Sequence, residues 1–188
     1  MKQKIFIIEH MEPKLWPWCL IEYKHISKTV GKNNVWFTNI PGSQIKKLSS
    51  FGKVLTKSIK FLNLENACIL DPESDSTLTP RSSSNFQYFI FGGILGDNPP
   101  KKRTNLELTQ FLPNAKSFNI GKAQMSTDNA VYVTKKIIEG TPLKEIPFQD
   151  EIEIKLNKIE STILPYRYAL VNGKPLYSKE LVRYLKKN

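Results

Sequence analysis

The sequence predicts an α/β fold, in which helices cover both faces of a parallel β-sheet. Segments with strand-like composition alternate along the chain with segments of helical periodicity, and this order is typical of parallel sheets. The first strand segment, residues 5–9, is apolar on both faces, as expected for an inner strand that is covered on both sides. The 188 residues include 40% hydrophobic residues, which is enough for a substantial core.

The N-terminal half is predicted to contain two helices and three strands. Residues 15–30 place apolar side chains three and four positions apart, as in an amphipathic helix, and Gly31 is suited to end it. Pro17 is tolerated because it falls in the first helical turn. The other elements predicted in this half are strands at residues 5–9, 35–38 and 67–70 and a short helix at residues 43–50.

The next part of the chain continues the same alternation. Residues 73–85 are rich in Ser, Thr, Pro and Asp, so we predict a mobile loop there, a candidate lid. Gly140 is predicted to end the last helix of this part. The regular elements are strands at residues 86–91 and 115–120 and helices at residues 104–111 and 126–139.

The pattern changes after Pro142, where short β-prone segments replace the alternation of strands and helices. Strands are predicted at residues 152–156 and 167–171, the second turning through Asn172-Gly173, before a terminal helix at residues 179–187. We therefore expect a main domain at residues 1–140 and a small C-terminal α+β extension at residues 141–188.

Charge and cysteine usage restrict the possible functions. Lys and Arg total 28 against 17 Asp and Glu, a net charge of +11, and such a field attracts polyanions such as RNA. Dispersed lysines are also typical of a solvated surface. Cys19 and Cys68 show no C-x-x-C spacing and are interpreted as buried free thiols. Because there are only two His residues, we expect no metal site.

No segment has the composition of a membrane span or a secretion signal. Every apolar run is shorter than the roughly 20 residues that a spanning helix needs, and the N-terminal segment is strand-like. We therefore expect no membrane partner and a cytoplasmic location.

The most informative segment is FGGILGDNPP at residues 91–100, where an apolar strand runs into two glycines and ends at a prolyl pair. Bare main chain at Gly92, Gly93 and Gly96 would let a flat ligand approach closely, at the edge where parallel sheets bind ligands. A purely structural turn is the alternative interpretation. The chain lacks the G-x-G-x-x-G and G-x-x-x-x-G-K-[ST] motifs, which disfavours a dinucleotide or a nucleoside triphosphate.

Four segments carry a resemblance to a known family: IIEHMEP at residues 7–13, LDP at residues 70–72, the glycine-rich segment followed by Arg103-Thr104, and IGKAQMSTDNA at residues 120–130. In this order they resemble the SPOUT-class methyltransferases that use S-adenosylmethionine, in the branch of the fungal ribosomal-protein arginine methyltransferase. The resemblance implies a SPOUT domain with a C-terminal trefoil knot in roughly residues 86–140, a topology that composition cannot indicate.

The resemblance also implies S-adenosylmethionine as the cofactor, held largely by main-chain groups. The residues implied to bind it are Leu70, Asp71, Gly92, Gly93, Ile94, Leu95, Ile120, Gly121, Gln124, Met125 and Ser126. The residues themselves agree with this, because an adenine ring needs an apolar slot with a few fixed polar partners.

Methyl transfer to an arginine would require carboxylates, because a guanidinium has a pKa of about 12.5 to 13.8 and delocalised lone pairs. Glu9, Glu12 and Asp97 are predicted at one edge of the sheet, where they would orient the acceptor and receive its proton. Arg103 is predicted to hold the cofactor carboxylate or to pair with an acidic side chain. Asp128, in the first turn of a helix, serves equally well as a cap.

The predicted function is methylation of an arginine on a basic protein, a ribosomal protein by the resemblance. RNA methylation is the alternative, because the net charge of +11 suits a polyanion. A non-catalytic ribosome-associated protein is the second alternative. A monomer and a SPOUT-type homodimer both fit the sequence.

Overall fold

A six-stranded, fully parallel sheet forms the centre of the molecule. The structure, a computed structural model, describes residues 3–97 and 99–187; Asn98 of the glycine-rich segment and Asn188 of the predicted extension lie outside the described residues. The strands are β1 (Ile5–His10), β2 (Val35–Thr38), β3 (Lys53–Val54), β4 (Ala67–Leu70), β5 (Tyr88–Gly93) and β6 (Lys116–Phe118). They are ordered β3-β2-β1-β5-β4-β6, and every neighbouring pair is parallel.

Both faces of the sheet are covered, as the sequence predicts. The helices are α1 (Pro17–Val30), α2 (Pro80–Ser83), α3 (Arg103–Glu107), α4 (Thr127–Ile138) and α5 (Lys179–Leu185). On one face Phe6 and Ile8 of β1 belong to an apolar cluster with Tyr23 and Ile26 of α1 and Val133 of α4. On the other face Ile5 and Ile7 cluster with Ile59 of a short 3-10 turn. All six residues of β1 are buried, which confirms β1 as an inner strand.

The C-terminal residues form a second, antiparallel sheet that packs on α1 and α4. Its strands are β7 (Phe148–Lys155), β8 (Ser161–Val171) and β9 (Lys174–Pro175). Ile21 of α1 shares an apolar cluster with this sheet and with α5. Asn129 of α4 is fully buried: its amide donates to the carbonyl of Leu176 at 2.9 Å and its carbonyl accepts from the main-chain N–H of Ala169 at 3.0 Å. These contacts hold the C-terminal sheet against α4.

Some secondary-structure predictions differ from the structure. Residues 43–50 contain a 3-10 turn, Gly42–Lys47, instead of an α-helix. The predicted strand at residues 167–171 is the second half of the eleven-residue β8. The strand β3 was not predicted. It has only two residues, Lys53–Val54, which both pair with β2 and are too few to show a strand pattern in the sequence.

The predicted lid at residues 73–85 is also wrong, because this segment is anchored to the body of the protein. Leu78 is 1% exposed, and its main-chain N–H donates to the carbonyl of Asn119 at 2.8 Å. Thr79 and Ser82 form a reciprocal capping box at the start of α2. The polar side chains of this segment bond to the nearby main chain, so its polar composition does not indicate disorder.

No helix in residues 3–97 and 99–187 is long and apolar enough to cross a membrane. The trefoil knot in roughly residues 86–140 stays a prediction.

Candidate active site

A cavity of about 160 Å³ lies where the segments after β4, β5 and β6 converge. This is the carboxyl edge of the parallel sheet, where ligands are expected in open α/β folds. Eight of the residues predicted to bind the cofactor line it: Leu70, Asp71, Gly92, Ile94, Ile120, Gly121, Gln124 and Met125. The structure thus brings together segments that are up to 55 positions apart in the sequence (70 to 125). We call this space the donor cavity.

The other three predicted cofactor residues do not line the donor cavity. At Gly93 a Cβ atom would lie 2.2 Å from the Tyr23 hydroxyl and 2.9 Å from the carbonyl oxygen of Glu9. Gly93 therefore permits close packing of α1 against the sheet. Leu95 and Ser126 border an adjoining cavity of about 200 Å³ instead.

The walls of the donor cavity are apolar side chains interrupted by bare main chain. Leu70, Phe91, Ile94, Ile120 and Met125 supply apolar surface. At Gly92 a Cβ atom would come within 2.9 Å of the Ile94 Cδ1 atom, and at Gly96 within 2.6 Å of Tyr166 Cε1 and 2.8 Å of Gln124 Nε2. A side chain at either position would therefore displace the neighbouring side chains that line the cavity. An apolar slot bordered by main chain fits a flat nucleoside.

Asp71 lines the donor cavity, and its side chain holds the surrounding loops together by hydrogen bonds. It is 1% exposed, and one carboxylate oxygen accepts from the main-chain N–H of Glu73 at 2.9 Å. The other accepts from Asn105 Nδ2 at 3.0 Å and from the Thr109 hydroxyl at 2.7 Å. Asp71 therefore joins the segment after β4 to α3 on the far side of the cavity.

Arg103 and Glu12 hold the segment after β5 against the segment after β1. Arg103 Nη1 lies 2.8 Å from Glu12 Oε1, and the same oxygen accepts from the main-chain N–H of Leu95 at 3.0 Å. Arg103 Nη2 donates to the carbonyl of Met11 at 3.2 Å. Partial burial opposes the charged form, but the carboxylates of Glu107 and Glu12 outweigh it and raise the pKa of Arg103. Arg103 also lines the donor cavity, and of its two predicted roles the structure supports the ion pair.

Two exposed ion pairs flank the mouth of the donor cavity. Lys101 pairs with Asp97 at 2.9 Å and Lys102 pairs with Glu73 at 2.7 Å, and all four residues line the cavity. The main-chain carbonyl of Asp97 also accepts from Gln124 Nε2 at 3.1 Å. Asp97 therefore borders the cavity, as predicted, with its carboxylate engaged by a lysine.

The placement of Glu9 argues against its predicted catalytic role. Glu9 is 2% exposed and is not among the residues that line the donor cavity. Its carboxylate accepts from the hydroxyl groups of Thr38 and Ser58 and, at 3.0 Å, from the main-chain N–H of Ile59. Residues of β1 alternate between the two faces of the sheet, and Glu9 shares the face of Ile7, opposite to α1 and α4. Its carboxylate joins β1, β2 and the 3-10 turn at Ile59.

His10, at the end of β1, is buried and hydrogen-bonds to α1 and to the segment after β2. It is 1% exposed, its Nδ1 atom lies 2.9 Å from the Tyr23 hydroxyl, and its carbonyl accepts from Asn39 Nδ2 at 2.7 Å. Burial lowers its pKa, so the ring is neutral at pH 7.

Within residues 3–97 and 99–187, no group of three or more His, Cys, Asp or Glu side chains is arranged to hold a metal ion. Cys19 and Cys68 are both free and buried, as predicted.

Glu22 of α1 borders the adjoining cavity and was missed in the sequence analysis. It is 6% exposed and accepts a hydrogen bond from Trp18 Nε1 at 2.7 Å. Burial, reinforced by the nearby Asp128 carboxylate, raises the pKa of Glu22 to about 8. A signal existed: Glu22 lies three positions after Cys19 and four before Ile26, in the apolar stripe of the predicted helix. An acidic residue in such a stripe indicates a buried carboxylate.

Comparison with known proteins agrees with this geometry. A family model described as "SFM1-like: Protein arginine N-methyltransferase SFM1-like" matches residues 5–188. The chain is 36% identical over 202 residues to protein arginine N-methyltransferase SFM1 of Saccharomyces cerevisiae, covering 97% of this chain and 94% of the relative.

Solved structures extend the comparison to the fold. The structure matches the crystal structure of the yeast arginine methyltransferase SFM1 complexed with SAM at a TM-score of 0.89 and 36% identity, covering 100% of this chain and 91% of the other. The crystal structure of dual-specific Trm10 from Thermococcus kodakaraensis matches at a TM-score of 0.60 and 17% identity, covering 76% of this chain and 96% of the other. The likeness to Trm10 shows a shared fold, and the SPOUT fold class is confirmed.

Proposed function

Since the chain belongs to the SFM1-like family of protein arginine N-methyltransferases, and is thereby an S-adenosylmethionine-dependent enzyme, we propose that the arginine it methylates is carried by a ribosomal protein. The donor cavity, with apolar walls and bare main chain at Gly92 and Gly96, is the observation that supports methyl transfer from S-adenosylmethionine. These walls fit the nucleoside part of the cofactor.

The chain itself has to bind, align and shield the reactants. When bound, S-adenosylmethionine supplies a methyl group that its sulfonium charge has already activated. Leu70, Ile94, Ile120 and Met125 would hold the nucleoside part and exclude water from it. Arg103 and Glu12 would keep the segment after β5 in place while the acceptor nitrogen is aligned.

Two features support a ribosomal target. The motifs that place the chain in this family resemble the branch whose substrate is a ribosomal protein. The net charge of +11 favours encounter with particles rich in RNA. We further propose that the enzyme works in the cytoplasm and meets a basic segment of its substrate.

The test is to incubate the purified protein with a cell extract and a radiolabelled methyl donor, and then to treat separate samples with nuclease and with protease. We expect label in the ribosomal protein fraction that resists nuclease, is lost with protease, and appears in methylarginine after acid hydrolysis. Label that is lost with nuclease would instead support the RNA alternative. An absence of label from a protein that still binds the donor would support a non-catalytic binding role.

A further inference from the structure

The face of the parallel sheet opposite to α1 and α4 carries a groove of about 350 Å³. Its floor includes Ala67 of β4 and Ile90 of β5, and its walls are residues 59–64 and 111–115. Parallel strands are usually joined by a helix that packs on the sheet, but the connection of β3 to β4 contains a 3-10 turn at Ile59–Phe61 instead. This face of the sheet is therefore left partly open. We call the space the aromatic groove.

Each wall of the aromatic groove presents a phenylalanine ring to solvent. Phe61 is 70% exposed and Phe111 is 53% exposed, and exposed apolar surface beside a groove is typical of a binding site. Asn63 and Asn114 also line the groove, and their amides can donate to a ligand and accept from it. The groove thus combines flat apolar surfaces with hydrogen-bonding groups.

The charge at the aromatic groove is positive. Among the described residues that line it, Lys60 is the one charged residue, and its Nζ atom lies 4.1 Å from the centroid of the Phe111 ring. Residues 53–64 and 108–118, which contain both walls, hold four lysines and no Asp or Glu. Residues 139–160, by contrast, hold six acidic residues against three lysines. An anionic partner is therefore favoured at the groove.

The acidic residues that flank these two segments are Glu65 and Glu107. Glu107 pairs with Arg103 at 3.0 Å, so its charge is already compensated. Glu65 is exposed, and water screens an exposed charge strongly. Neither residue is among the described residues that line the groove, and the positive charge there is retained.

Lysine and aromatic side chains also meet farther along the same face, toward β2 and β3. Lys53 Nζ lies 3.9 Å from the centroid of the Trp36 ring, and the centroids of Trp36 and Tyr88 are 5.6 Å apart. Both aromatic side chains pack against the apolar cluster of this face. Such a surface suits a polymer that has a charged backbone and planar side groups.

We propose that the aromatic groove binds single-stranded RNA, with bases stacked on Phe61 and Phe111 and phosphates paired with the lysines. Every base has a flat face that can stack on an aromatic ring, and lysines neutralise phosphates. The choice of RNA over DNA rests on the ribosomal target proposed above. Within the described part of the chain the groove and the donor cavity share no lining residue, so this RNA is a docking partner and not the methyl acceptor.

The geometry favours RNA over an acidic peptide and over a second copy of the chain. The face of an aromatic ring is electron-rich, so a carboxylate that approaches Lys60 would also meet the repulsive face of Phe111. A nucleotide instead places its base on the ring and keeps its phosphate at the lysine. Two copies joined at their grooves would bring like-charged lysines together, which disfavours association.

The experiment measures the fluorescence anisotropy of a fluorescein-labelled oligouridylate of about twelve nucleotides, titrated with the purified protein. We expect saturable binding that weakens steeply with added KCl. Phe61→Ala and Phe111→Ala should each lower the affinity about five- to tenfold, whereas Phe61→Tyr, which keeps a stacking ring, should bind like the wild type. Lys60→Gln should lower the affinity and reduce the salt slope by about 0.7.

Two matched controls separate the groove from the rest of the surface. Leu106 is also an exposed apolar residue but is not among the described residues that line the groove, and Lys158 lies in the distant connection of β7 to β8. The proposal is overturned if Phe61→Ala binds the oligonucleotide as tightly as Leu106→Ala does, or if Lys60→Gln binds it as tightly as Lys158→Gln does. It is also overturned if S-adenosylhomocysteine displaces the oligonucleotide, which would place the RNA in the donor cavity.

Two further outcomes would assign the groove to another occupant and overturn the proposal. The first is an equal affinity of the wild type for an oligoglutamate of the same length, which would show that charge alone is recognised. The second is a dimer in sedimentation equilibrium that Phe61→Ala abolishes, which would assign the groove to a second copy of the chain.

The substituted phenylalanines are exposed, so the variants should fold and should bind S-adenosylhomocysteine like the wild type. The oligoglutamate comparison needs no variant. None of these measurements depends on methyl transfer. A lack of RNA binding combined with methylarginine in the extract assay would reject the groove and leave the proposed function intact, and RNA binding that depends on Phe61 without methylarginine would do the reverse.

Discussion

At the scale of single residues, two buried glutamates have opposite environments. Glu9 accepts hydrogen bonds from two hydroxyl groups and one main-chain N–H, so its neighbours compensate its carboxylate and it serves the fold. Glu22 accepts from the Trp18 indole at 2.7 Å and from Thr127, but burial and the nearby Asp128 carboxylate outweigh these donors and raise its pKa. Such an incompletely compensated acid is typical of functional sites.

Glu22 makes stability depend on pH in a way that can be measured. Its folded-state pKa of about 8 lies above the ordinary value of 4.5, so its contribution to stability is complete below about pH 4.5 and is lost as the pH rises through 8. Urea unfolding at pH 5, 7 and 9 should show that the wild type loses on the order of 2–4 kcal/mol relative to Glu22→Gln over this range. Parallel pH curves for the two proteins would contradict this prediction.

Gly96 tests whether bare main chain is needed beside the ligand. In Gly96→Ala the new methyl group would meet Tyr166 at 2.6 Å and Gln124 at 2.8 Å, so these side chains, which border the two cavities, would have to shift. Calorimetry should show an affinity for S-adenosylhomocysteine lowered by about tenfold or more, which corresponds to about 1.4 kcal/mol. Gly42→Ala is the control, because nothing lies within 4 Å of its Cβ position. Equal affinities for the two variants would remove Gly96 from the binding argument.

At the scale of secondary-structure elements, the site depends on how the segments that leave the sheet are joined. Glu9 joins β1 to β2, Asp71 joins β4 to α3, and Arg103 with Glu12 joins the segments after β1 and β5. At each junction at least one largely buried carboxylate accepts hydrogen bonds from a neighbouring element or segment. The carboxyl edge of the sheet is thereby rigid enough to present main-chain groups to a ligand.

Glu9→Gln should weaken the junction of β1 and β2 without altering the donor cavity. The amide cannot accept from all three donors, and we expect the free energy of unfolding to fall by about 1–3 kcal/mol. The affinity for S-adenosylhomocysteine should be retained, since Glu9 is not among the residues that line the cavity. A variant as stable as the wild type that has lost methyl transfer would restore the catalytic interpretation of Glu9.

Arg103→Met tests the junction of the segments after β1 and β5. The change leaves the mostly buried Glu12 without its cation, and we expect stability to fall by roughly 1–3 kcal/mol and donor affinity by about tenfold. Lys102→Met is the control, because the ion pair of Lys102 with Glu73 is exposed and should contribute little. Similar donor affinities for the two variants would show that the junction is not needed for binding.

At the scale of the whole molecule, the C-terminal sheet and the net charge act on different steps. The sheet belongs to the site, because Tyr166 borders the adjoining cavity of about 200 Å³ and the main-chain N–H of Arg167 donates to the carbonyl of Gln124 at 2.8 Å. The charge of +11 is a property of the surface as a whole. It governs encounter with large polyanionic particles rather than recognition of one side chain.

Salt dependence should therefore separate the two steps. Binding to purified ribosomal subunits should weaken steeply between 50 and 200 mM KCl, because cationic side chains release counterions from RNA. Binding of S-adenosylhomocysteine in the donor cavity should change little over this range, since apolar walls and bare main chain surround its nucleoside part. Sedimentation measures the first and calorimetry the second. Equal salt dependence would mean that both report the same surface contact.

The sequence alone determined those features that are encoded locally. Apolar periodicity predicted the parallel α/β core, and the bounds of β2 and β4 agree with it to the residue. The glycines of residues 91–100 predicted a ligand site by themselves, because their bare main chain does not depend on a distant partner. The family resemblance carried by residues 70–72 and 120–130 implied the other residues of the donor cavity.

Only the tertiary structure decided the roles of the carboxylates. Glu9 and Glu22 are both acidic residues in apolar segments, and their patterns do not reveal that one meets Thr38 and Ser58 while the other meets Trp18 and Asp128. The ionisation and purpose of a buried charge depend on which donors and charges surround it in three dimensions. In this protein those groups come from segments as far apart as α1 and α4, and only folding brings them together.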